Sequence, residues 1–349
     1  MTAGAMIAGA AQSFPATLDQ DQLWDGFFRG HYAGSRVAER VFAAAGVQRR
    51  HGAVNPVDED ISGWGTGARM QRYVAEAMPL GKEAIAGALA SAGLDAADVG
   101  LLTVASCTGY TTPGVDIQLA RDLGMSAEVQ RLVVGHMGCY AALPALGAVS
   151  DFVQARGRPA VLLCLELTSL HVQPASADVD QMVAHALFSD AAAALVLLPG
   201  NAPGGLAVVD VVARTDASTA DHMTWDVTDL GFRMGLSPRV PDVLAEHVLA
   251  VVEGLLSRHG LRSGDVAGWA VHPGGPRILD VVGDRLGLGD DALAASRTTL
   301  REHGNCSSAT VLLVLDELRR SRPPQTGDYV VAMAFGPGLT LYATLLRAT

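Results

Sequence analysis

Basic side chains are scarce in this chain. Its 349 residues include 25 basic side chains, only one of them a lysine (Lys82), against 36 acidic ones. The formal net charge is −11 and the isoelectric point is about 5.3. General nucleic-acid binding requires a basic face, so the charge balance argues against it, although it leaves room for a local basic patch. We therefore expect no nucleic-acid partner.

Cysteine is also rare, and its spacing excludes several kinds of site. The four cysteines, at positions 107, 139, 164 and 306, form no Cys-x-x-Cys pair. The first residues lack the basic segment of a secretory signal, so we expect reduced thiols, no structural disulfide and no zinc site. No apolar run is long enough to span a bilayer. Phosphate-binding loops and dinucleotide fingerprints are absent as well. These absences predict a soluble, cytoplasmic protein without a membrane partner, a metal or a bound cofactor.

The remaining composition favours large buried cores. Hydrophobic residues make up 49% of the chain and charged residues 17%, which is too apolar for a disordered protein. Short apolar runs alternate with stretches of helical spacing, a rhythm typical of an α/β fold with parallel or mixed sheets. In the first half we predict helices over 81–94, 114–124 and 141–149, and strands over 100–107, 131–134, 160–165 and 191–198.

A run rich in proline and glycine, Pro199–Gly205, interrupts this rhythm, which then resumes. The second half predicts a strand over 268–271, helices over 276–286 and 307–320, and a hairpin of strands over 329–335 and 339–346. We therefore divide the chain into two similar halves, residues 1–203 and 204–349. No repeat is visible at the level of sequence.

Three polar residues in glycine-rich turns suggest acyl transfer. Cys139 offers a soft nucleophile before a helix start, where unpaired amides stabilise a thiolate. His272 ends an apolar strand and can act as a base, and Asn305 carries an amide donor for an oxygen that becomes negative. Each residue has a plainer interpretation: a small buried hydrophobe, a satisfied core histidine and a helix N-cap. The order Cys, His, Asn also occurs in papain-like proteases at a separation of roughly 130–150 residues, but the sequence signature of those proteases is absent.

Six segments, in order from about residue 40 to the C-terminus, resemble the type III polyketide synthases, the chalcone-synthase-like enzymes of plants and bacteria. The segments are Cys-Thr-Gly-Tyr-Thr-Thr-Pro-Gly-Val-Asp (107–116), Gly-His-Met-Gly-Cys (135–139), Leu-Phe-Ser-Asp-Ala-Ala-Ala-Ala (187–194), His-Pro-Gly-Gly-Pro-Arg-Ile-Leu-Asp (272–280), Gly-Asn-Cys-Ser-Ser-Ala (304–309) and Phe-Gly-Pro-Gly-Leu-Thr (335–340). The resemblance implies a thiolase-like fold of five αβαβα layers with two similar halves, acting as a homodimer. The first half would carry the nucleophile, and the second the histidine and asparagine.

The resemblance also implies roles for the three residues. Cys139 would take an acyl group from coenzyme A and hold the growing chain. His272 and Asn305 would bind the thioester carbonyl of malonyl-CoA and stabilise the enolate formed on decarboxylation. His272 would also keep Cys139 ionised. The substrates would be acyl-CoA and malonyl-CoA, with no cofactor beyond these thioesters.

Other residues would shape the substrate cavity if the resemblance holds. Phe188 and Phe232 match the two phenylalanines that separate the coenzyme A tunnel from the cavity. Cys107 matches a cysteine of some bacterial relatives, including tetrahydroxynaphthalene synthases, and Thr112 replaces a bulkier residue that closes the cavity across the dimer in plant enzymes. Trp225 resembles the Trp-Asp-Val of alkylpyrone-forming relatives.

These residues favour a fatty acyl-CoA starter and a pyrone or resorcinol-type product. The alternatives are a malonyl-primed synthase making tetrahydroxynaphthalene or a dihydroxyphenylacetate-type product, and a ketoacyl synthase that takes malonyl from an acyl carrier protein. A non-catalytic subunit of the same fold is a third, weaker alternative, since such subunits usually lose the nucleophile. Arg49, Arg50 and His51 lie near the family's basic coenzyme A entrance, with an ordinary solvated segment as the other interpretation.

Overall fold

The computed structural model describes residues 4–200 and 202–349. Its strands are β1 (Ala5–Ser13), β2 (Ala16–Asp19), β3 (Arg49–Gly52), β4 (Leu101–Ser106), β5 (Gln130–Gly135), β6 (Ala160–Leu167), β7 (Asp190–Pro199), β8 (Leu206–Thr215), β9 (Met223–Thr228), β10 (Gly231–Leu236), β11 (Val266–Val271), β12 (Tyr329–Gly336) and β13 (Thr340–Ala348). Its helices are α1 (Gln20–Leu23), α2 (Arg29–His31), α3 (Arg36–Ala44), α4 (Thr66–Ala92), α5 (Val115–Asp122), α6 (Ala142–Arg156), α7 (Val179–Leu187), α8 (Val240–Ser257), α9 (Pro276–Leu286), α10 (Ala294–His303) and α11 (Thr310–Ser321).

Nine of the strands form one mixed sheet in the order β11-β12-β13-β8-β1-β7-β6-β4-β5. The two halves of the chain meet where β1 pairs with β8 over two residues, Met6 with Ala207 and Ile7 with Leu206. Each half contains both parallel and antiparallel pairs: β4 is parallel to β5 and β6, β11 is parallel to β12, and the remaining neighbours are antiparallel. The sheet is therefore mixed, one of the two arrangements that the sequence left open.

Three of the buried hydrophobic clusters hold the layers of the fold together. The central core lies between the two halves of the sheet and is filled by α6 and α11. A second core packs α4 and α5 on the outer face of β4, β6 and β7. A third packs α8 and α9 on the outer face of β11, β12 and β13. Side chains of a strand alternate between faces, so one strand contributes to two cores. The layer order is αβαβα, which confirms the predicted thiolase-like fold.

The predicted strands and helices correspond to elements of the structure, with one large difference in length. The helix expected over 81–94 begins at Thr66 and ends before Gly93, whose φ of +62° gives a left-handed cap. Pro79 lies inside this helix, although a proline removes one helical hydrogen bond. Burial of Tyr73, Ala77 and Leu80 against the sheet stabilises the first half of the helix.

The predicted boundary at residue 203 falls in the connection between β7 and β8. Because the sheet continues from one half to the other, the division into residues 1–203 and 204–349 stays a prediction. Among the described residues, no helix combines the length and the apolar character needed to cross a bilayer.

Candidate active site

Cys139 lies in a tight turn between β5 and α6. His136 and Gly138 have positive φ values of 55° and 75°, and Gly138–Tyr140 forms a single 3-10 turn. A Cβ at Gly138 would lie 2.7 Å from Cδ of Pro337, so only glycine fits this approach. The turn packs against the ends of β12 and against Ser307–Ala309. The thiol is thus held just before a helix start, as the sequence predicted.

The thiol of Cys139 is buried and neutral. Burial raises its pKa to about 12, and hydrogen bonds from Ser307 and Asn305 act in the opposite direction. Burial also lowers the pKa of His272 to about 3. Both directions disfavour the thiolate–imidazolium pair expected from the family resemblance. Both shifts favour the thiol form of Cys139 and the neutral form of His272.

Asn305 faces Cys139 from the loop between α10 and α11. Its backbone N–H donates to the Leu187 carbonyl at 2.8 Å, and its carbonyl accepts from the Ser189 N–H at 2.9 Å. Its side-chain Oδ1 accepts from the Ser307 N–H at 2.9 Å. Because the oxygen is occupied in this way, the amide Nδ2 is left as the donor toward the site.

His272 is the residue directly after β11, the strand that pairs with β12. Its backbone N–H donates to the Met333 carbonyl at 2.8 Å, and its ring centroid lies 5.6 Å from that of Phe335. The next residue of β12, Gly336, approaches the turn of Cys139 so closely that a Cβ there would lie 3.3 Å from the Cys139 nitrogen. The imidazole is 1% exposed, and neither ring nitrogen has a hydrogen-bond partner among the described residues. Such unsatisfied buried groups are rare and call for a functional explanation.

The structure thus brings Asn305 against Cys139 and places His272 beside the strand end that touches the same turn. The sequence missed Ser307, whose φ is +48° and whose side chain lies between the two cysteines at 107 and 139. A serine two residues after the glycine-flanked asparagine gave no signal of that role. Within residues 4–200 and 202–349, no three metal-ligating side chains come together.

The sequence also missed Glu166, a buried carboxylate below the nucleophile. It accepts hydrogen bonds from Ser308 Oγ, from Thr108 Oγ1 at 2.7 Å and from the Cys107 N–H at 3.0 Å. Burial raises its pKa, and the hydrogen bonds from Ser308 and Thr108 oppose that shift. A lone charge inside the apolar run 160–167 was a signal that could have identified it.

Cys107 links this carboxylate to the nucleophile. Its Sγ lies 3.2 Å from Ser307 Oγ and 3.6 Å from Glu166 Oε2, and burial raises its pKa well above the ordinary value. It lines a cavity of about 20 Å³ together with Cys139 and Ser307. Cys107 therefore lines the cavity of Cys139, and its part in binding the substrate stays a prediction.

The three aromatic residues predicted for the cavity lie together. Trp225 stands between the other two, with ring centroids 6.3 Å from Phe188 and 6.1 Å from Phe232. Its Nε1 donates to the Cys107 carbonyl at 2.7 Å. All three line a second cavity of about 50 Å³, and Phe188 and Trp225 also line the cavity of Cys139.

His171 holds Phe232 in place, a role that the sequence did not suggest. Its Nδ1 accepts from the Phe232 N–H at 3.0 Å, so its Nε2 donates to the Thr108 carbonyl at 2.6 Å. The two rings stack with centroids 4.5 Å apart at 10°. These bonds fix a neutral tautomer, and burial lowers the pKa of His171 to about 3.

Two predictions about surface residues fare differently. Thr112 is exposed and lines neither cavity beside Cys139, so its contribution to the cavity stays a prediction that needs a second chain. The alternative interpretation of Arg50 and His51 as an ordinary solvated segment is wrong, because both side chains are buried. Their position near a coenzyme A entrance stays a prediction. Arg50 donates to backbone carbonyls, whereas Arg49 is exposed and pairs with Glu302 at 2.7 Å. Packing from α1–α3 buries this segment, which local sequence could not reveal.

Comparison with known proteins identifies the family. The chain matches the family models for chalcone and stilbene synthases, the N-terminal domain over residues 61–203 and the C-terminal domain over residues 203–349. The chain therefore belongs to the chalcone and stilbene synthase family, and its homologues are type III polyketide synthases.

Among its curated relatives is the 1,3,6,8-tetrahydroxynaphthalene synthase of Streptomyces peucetius, which is 37% identical and covers 90% of this chain and 84% of its own length. An alpha-pyrone synthesis polyketide synthase-like protein of Mycobacterium tuberculosis is 33% identical, covering 88% and 81%. Among solved structures, a polyketide synthase of the brown alga Ectocarpus siliculosus superposes with a TM-score of 0.94 at 29% identity, covering 100% and 99%. The tetrahydroxynaphthalene synthase of Streptomyces coelicolor gives 0.92 at 28% identity, covering 99% of both chains.

Proposed function

We propose that this chain loads an acyl-CoA starter on Cys139 and extends it by repeated decarboxylative condensation with malonyl-CoA. The observation that supports the proposal is a set of three buried groups: the Cys139 thiol, the Asn305 amide that faces it, and the His272 imidazole beside the strand end that borders the Cys139 turn. The two ring nitrogens of His272 have no hydrogen-bond partner among the described residues.

Loading requires the thiol proton to move. The Cys139 sulfur attacks the starter carbonyl while His272 accepts the proton, and the same imidazole returns a proton to the departing coenzyme A thiolate. Because His272 is neutral, one ring nitrogen is available as the acceptor. Burial of both groups keeps water away from the resulting thioester.

Extension would use the same donors on a second carbonyl. Loss of carbon dioxide from malonyl-CoA leaves the bond electrons on the thioester oxygen as an enolate, which the Asn305 amide and the His272 N–H stabilise. The enolate carbon then attacks the acyl group on Cys139 and expels its sulfur. The product is a coenzyme A thioester longer by two carbons, which returns to Cys139 for the next round.

A groove of about 490 Å³ offers an approach for the thioesters. Its lining includes Val41 and Ala44 of α3, Pro276 and Arg277 at the start of α9, and Phe335 beside His272. Arg277 is exposed and lies at the outer part of this groove. A cation in this position suits a phosphate group of coenzyme A.

We infer a pyrone or resorcinol-type product, on the resemblance of Trp225 and its neighbours to alkylpyrone-forming enzymes. One observation favours a second candidate, a malonyl-primed synthase. The cavity that Cys139 lines measures about 20 Å³ and the neighbouring cavity about 50 Å³, which suits a short starter better than a long acyl chain. The M. tuberculosis relative is named for alpha-pyrone synthesis and the S. peucetius relative for tetrahydroxynaphthalene synthesis.

We also propose a homodimer formed through β5. This strand is the last of the sheet, and Leu132 and Val133 on it are 38% and 58% exposed. Tyr110, near Thr112, is 64% exposed on the same side of the molecule. An uncovered apolar edge strand is a ready site for pairing with a second chain.

The test is incubation of the purified protein with malonyl-CoA alone and with acyl-CoA starters of two to sixteen carbons, without carrier protein. Mass spectrometry reads the products and the acyl adduct on the protein. We expect the adduct on Cys139 and none in Cys139→Ala. Products from malonyl-CoA alone would select the malonyl-primed candidate, and strict dependence on acyl carrier protein would overturn the proposal. An adduct that persists on Cys107 would move the nucleophile.

A further inference from the structure

Arg50 is a buried cation whose hydrogen bonding is half complete. Its side chain is 5% exposed. Its Nη1 donates to the carbonyls of His185 and Phe188 at the end of α7. Its Nε and Nη2 are buried and have no hydrogen-bond partner among the described residues. These two atoms form one side of the guanidinium, the side that binds two neighbouring oxygens at once.

A second buried arginine shows what a purely structural guanidinium looks like in this chain. Arg69 is fully buried, and all three of its nitrogens donate to backbone carbonyls, of Trp64, Leu170, Val172, Ile61 and Ser62. No donor of Arg69 is left over. Arg50, by contrast, keeps one complete edge free.

Nothing in the described residues neutralises the free edge of Arg50. No carboxylate lies within ion-pair distance of it, and Asp190, which acts on it over a longer range, is occupied by the Ala53 N–H at 2.8 Å and by Ser169. The rings of Phe28 and Phe42 lie 5.6 and 5.9 Å from its central carbon. They stabilise the face of the cation and leave its edge without an acceptor.

The position of Arg50 connects it to the candidate active site. It lines the cavity of about 50 Å³ that Phe188, Trp225 and Phe232 also line. Phe188 and Trp225 are shared with the cavity that contains Cys139. Burial lowers the pKa of Arg50 to about 10, so the group is still a cation at neutral pH. A buried charge that is not paired in the protein is costly, so a ligand that supplies negative oxygens would be bound strongly.

We propose that the free edge of Arg50 binds a planar pair of oxygens sharing one negative charge, the enolate of a β-dicarbonyl unit in the growing chain. The inference rests on the proposed function, since condensation is what creates such units. A carboxylate, for example that of malonyl-CoA, has the same paired oxygens. The enolate is favoured because a cation clamped on the carboxylate would stabilise the ground state and slow the loss of carbon dioxide.

Two consequences distinguish this site from a structural arginine. Binding of the enolate lowers the apparent pKa of a β-dicarbonyl probe, because the cation favours the ionised form. Retention of the extended chain depends on the paired donors, so Arg50→Lys, which keeps the charge and loses the fork, should shorten the products without preventing starter loading on Cys139.

The test uses acetylacetone as the probe, because its enolate absorbs in the ultraviolet and presents two oxygens on one side. The full-length protein is titrated with the probe across pH. We expect wild type to lower the apparent pKa of the bound probe by at least about one unit, worth about 1.4 kcal/mol. The shift should be smaller with Arg50→Lys and absent with Arg50→Gln. Arg320→Met, an exposed arginine on α11, serves as the matched control and should behave as wild type.

Titration with malonate in place of acetylacetone shows whether the site prefers the two oxygens of a carboxylate or those of an enolate. Strong malonate binding without an acetylacetone shift would assign the site to a carboxylate and overturn the proposal. Wild type without any shift would overturn it as well, even if the Arg50 variants fail to fold. If the shift depends on Arg50 but no CoA thioester is turned over, the oxygen site stands and the proposed function falls.

Discussion

Two buried polar regions flank Cys139, and they differ in how far their hydrogen bonds are satisfied. Below Cys139, Glu166 collects donors from Ser308, Thr108 and Cys107. At the end of β11, His272 is equally buried and has no side-chain partner among the described residues. Because an unpaired buried polar group costs about 1–3 kcal/mol, the protein tolerates that cost at His272 and avoids it at Glu166.

This difference in hydrogen bonding separates a residue that supports the fold, Glu166, from a residue that is available for chemistry, His272. A carboxylate with three donors is rigid and has little capacity left for a substrate. An imidazole with two free nitrogens can accept a proton at one and donate a hydrogen bond at the other. The contrast therefore predicts that the two residues respond in opposite ways to substitution: one through activity, the other through stability.

The largest effect is expected at His272, whose ring nitrogens have no hydrogen-bond partner among the described residues. His272→Leu should lower the rate of malonyl-CoA decarboxylation by about 10²–10³-fold, as for loss of one preorganised donor. The urea unfolding midpoint should stay the same or rise, since no side-chain hydrogen bond is lost. Decarboxylation assays and urea unfolding of the same sample provide both values. A destabilisation of about 2 kcal/mol or more would show that His272 supports the fold.

Glu166, whose hydrogen bonds are satisfied, should behave in the opposite way. Glu166→Gln replaces one carboxylate oxygen by an amide donor, so either the bond from Ser308 or the bonds from Thr108 and the Cys107 N–H lose their acceptor. We therefore expect a loss of about 1–3 kcal/mol in the free energy of unfolding. Activity of the folded fraction should fall only several-fold. Glu246→Gln, at an exposed position of α8, is the control and should change neither. A Glu166→Gln protein of normal stability and no activity would place this carboxylate in the chemistry instead.

Much of this site could be predicted from the sequence, because strand ends and glycine turns are local signals. The apolar runs ending at Gly135 and Val271 put Cys139 and His272 in loops, and Gly304 put Asn305 before a helix. The resemblance of six segments to a known family then predicted that these three residues share one site. The alternation of strands and helices predicted an α/β fold, whereas the five layers were implied only by the family resemblance.

The remainder depended on contacts between distant segments. Arg50 sits in a run of charged residues that looks solvated, yet Phe28, Phe42 and the end of α7 enclose it. His171 gave no signal, because its partners Thr108 and Phe232 lie far from it in the sequence. Thr112 could not be tested in one chain, since its predicted cavity needs a second copy.

The smallest expected effect is on the pH dependence of stability, where buried histidines and buried carboxylates act in opposite directions. Burial lowers the pKa of His171, His185 and His272 to about 3, whereas the unfolded chain protonates them near the ordinary value of about 6.5. The unfolded state therefore binds more protons between these values, and stability falls as the pH drops below about 6.5. The raised pKa values of Glu166 and Asp190 act in the opposite sense and reduce the net slope.

Replacement of one histidine isolates its share of that slope. His171→Gln can still accept from the Phe232 N–H and donate to the Thr108 carbonyl, and it does not titrate. We expect the decline of stability between pH 5.5 and 4.5 to flatten by about 1 kcal/mol per pH unit, measured by urea unfolding at each pH. Equal slopes for wild type and variant would mean that His171 is protonated in the folded state. The neutral tautomer of His171, which accepts from the Phe232 N–H, would then be wrong.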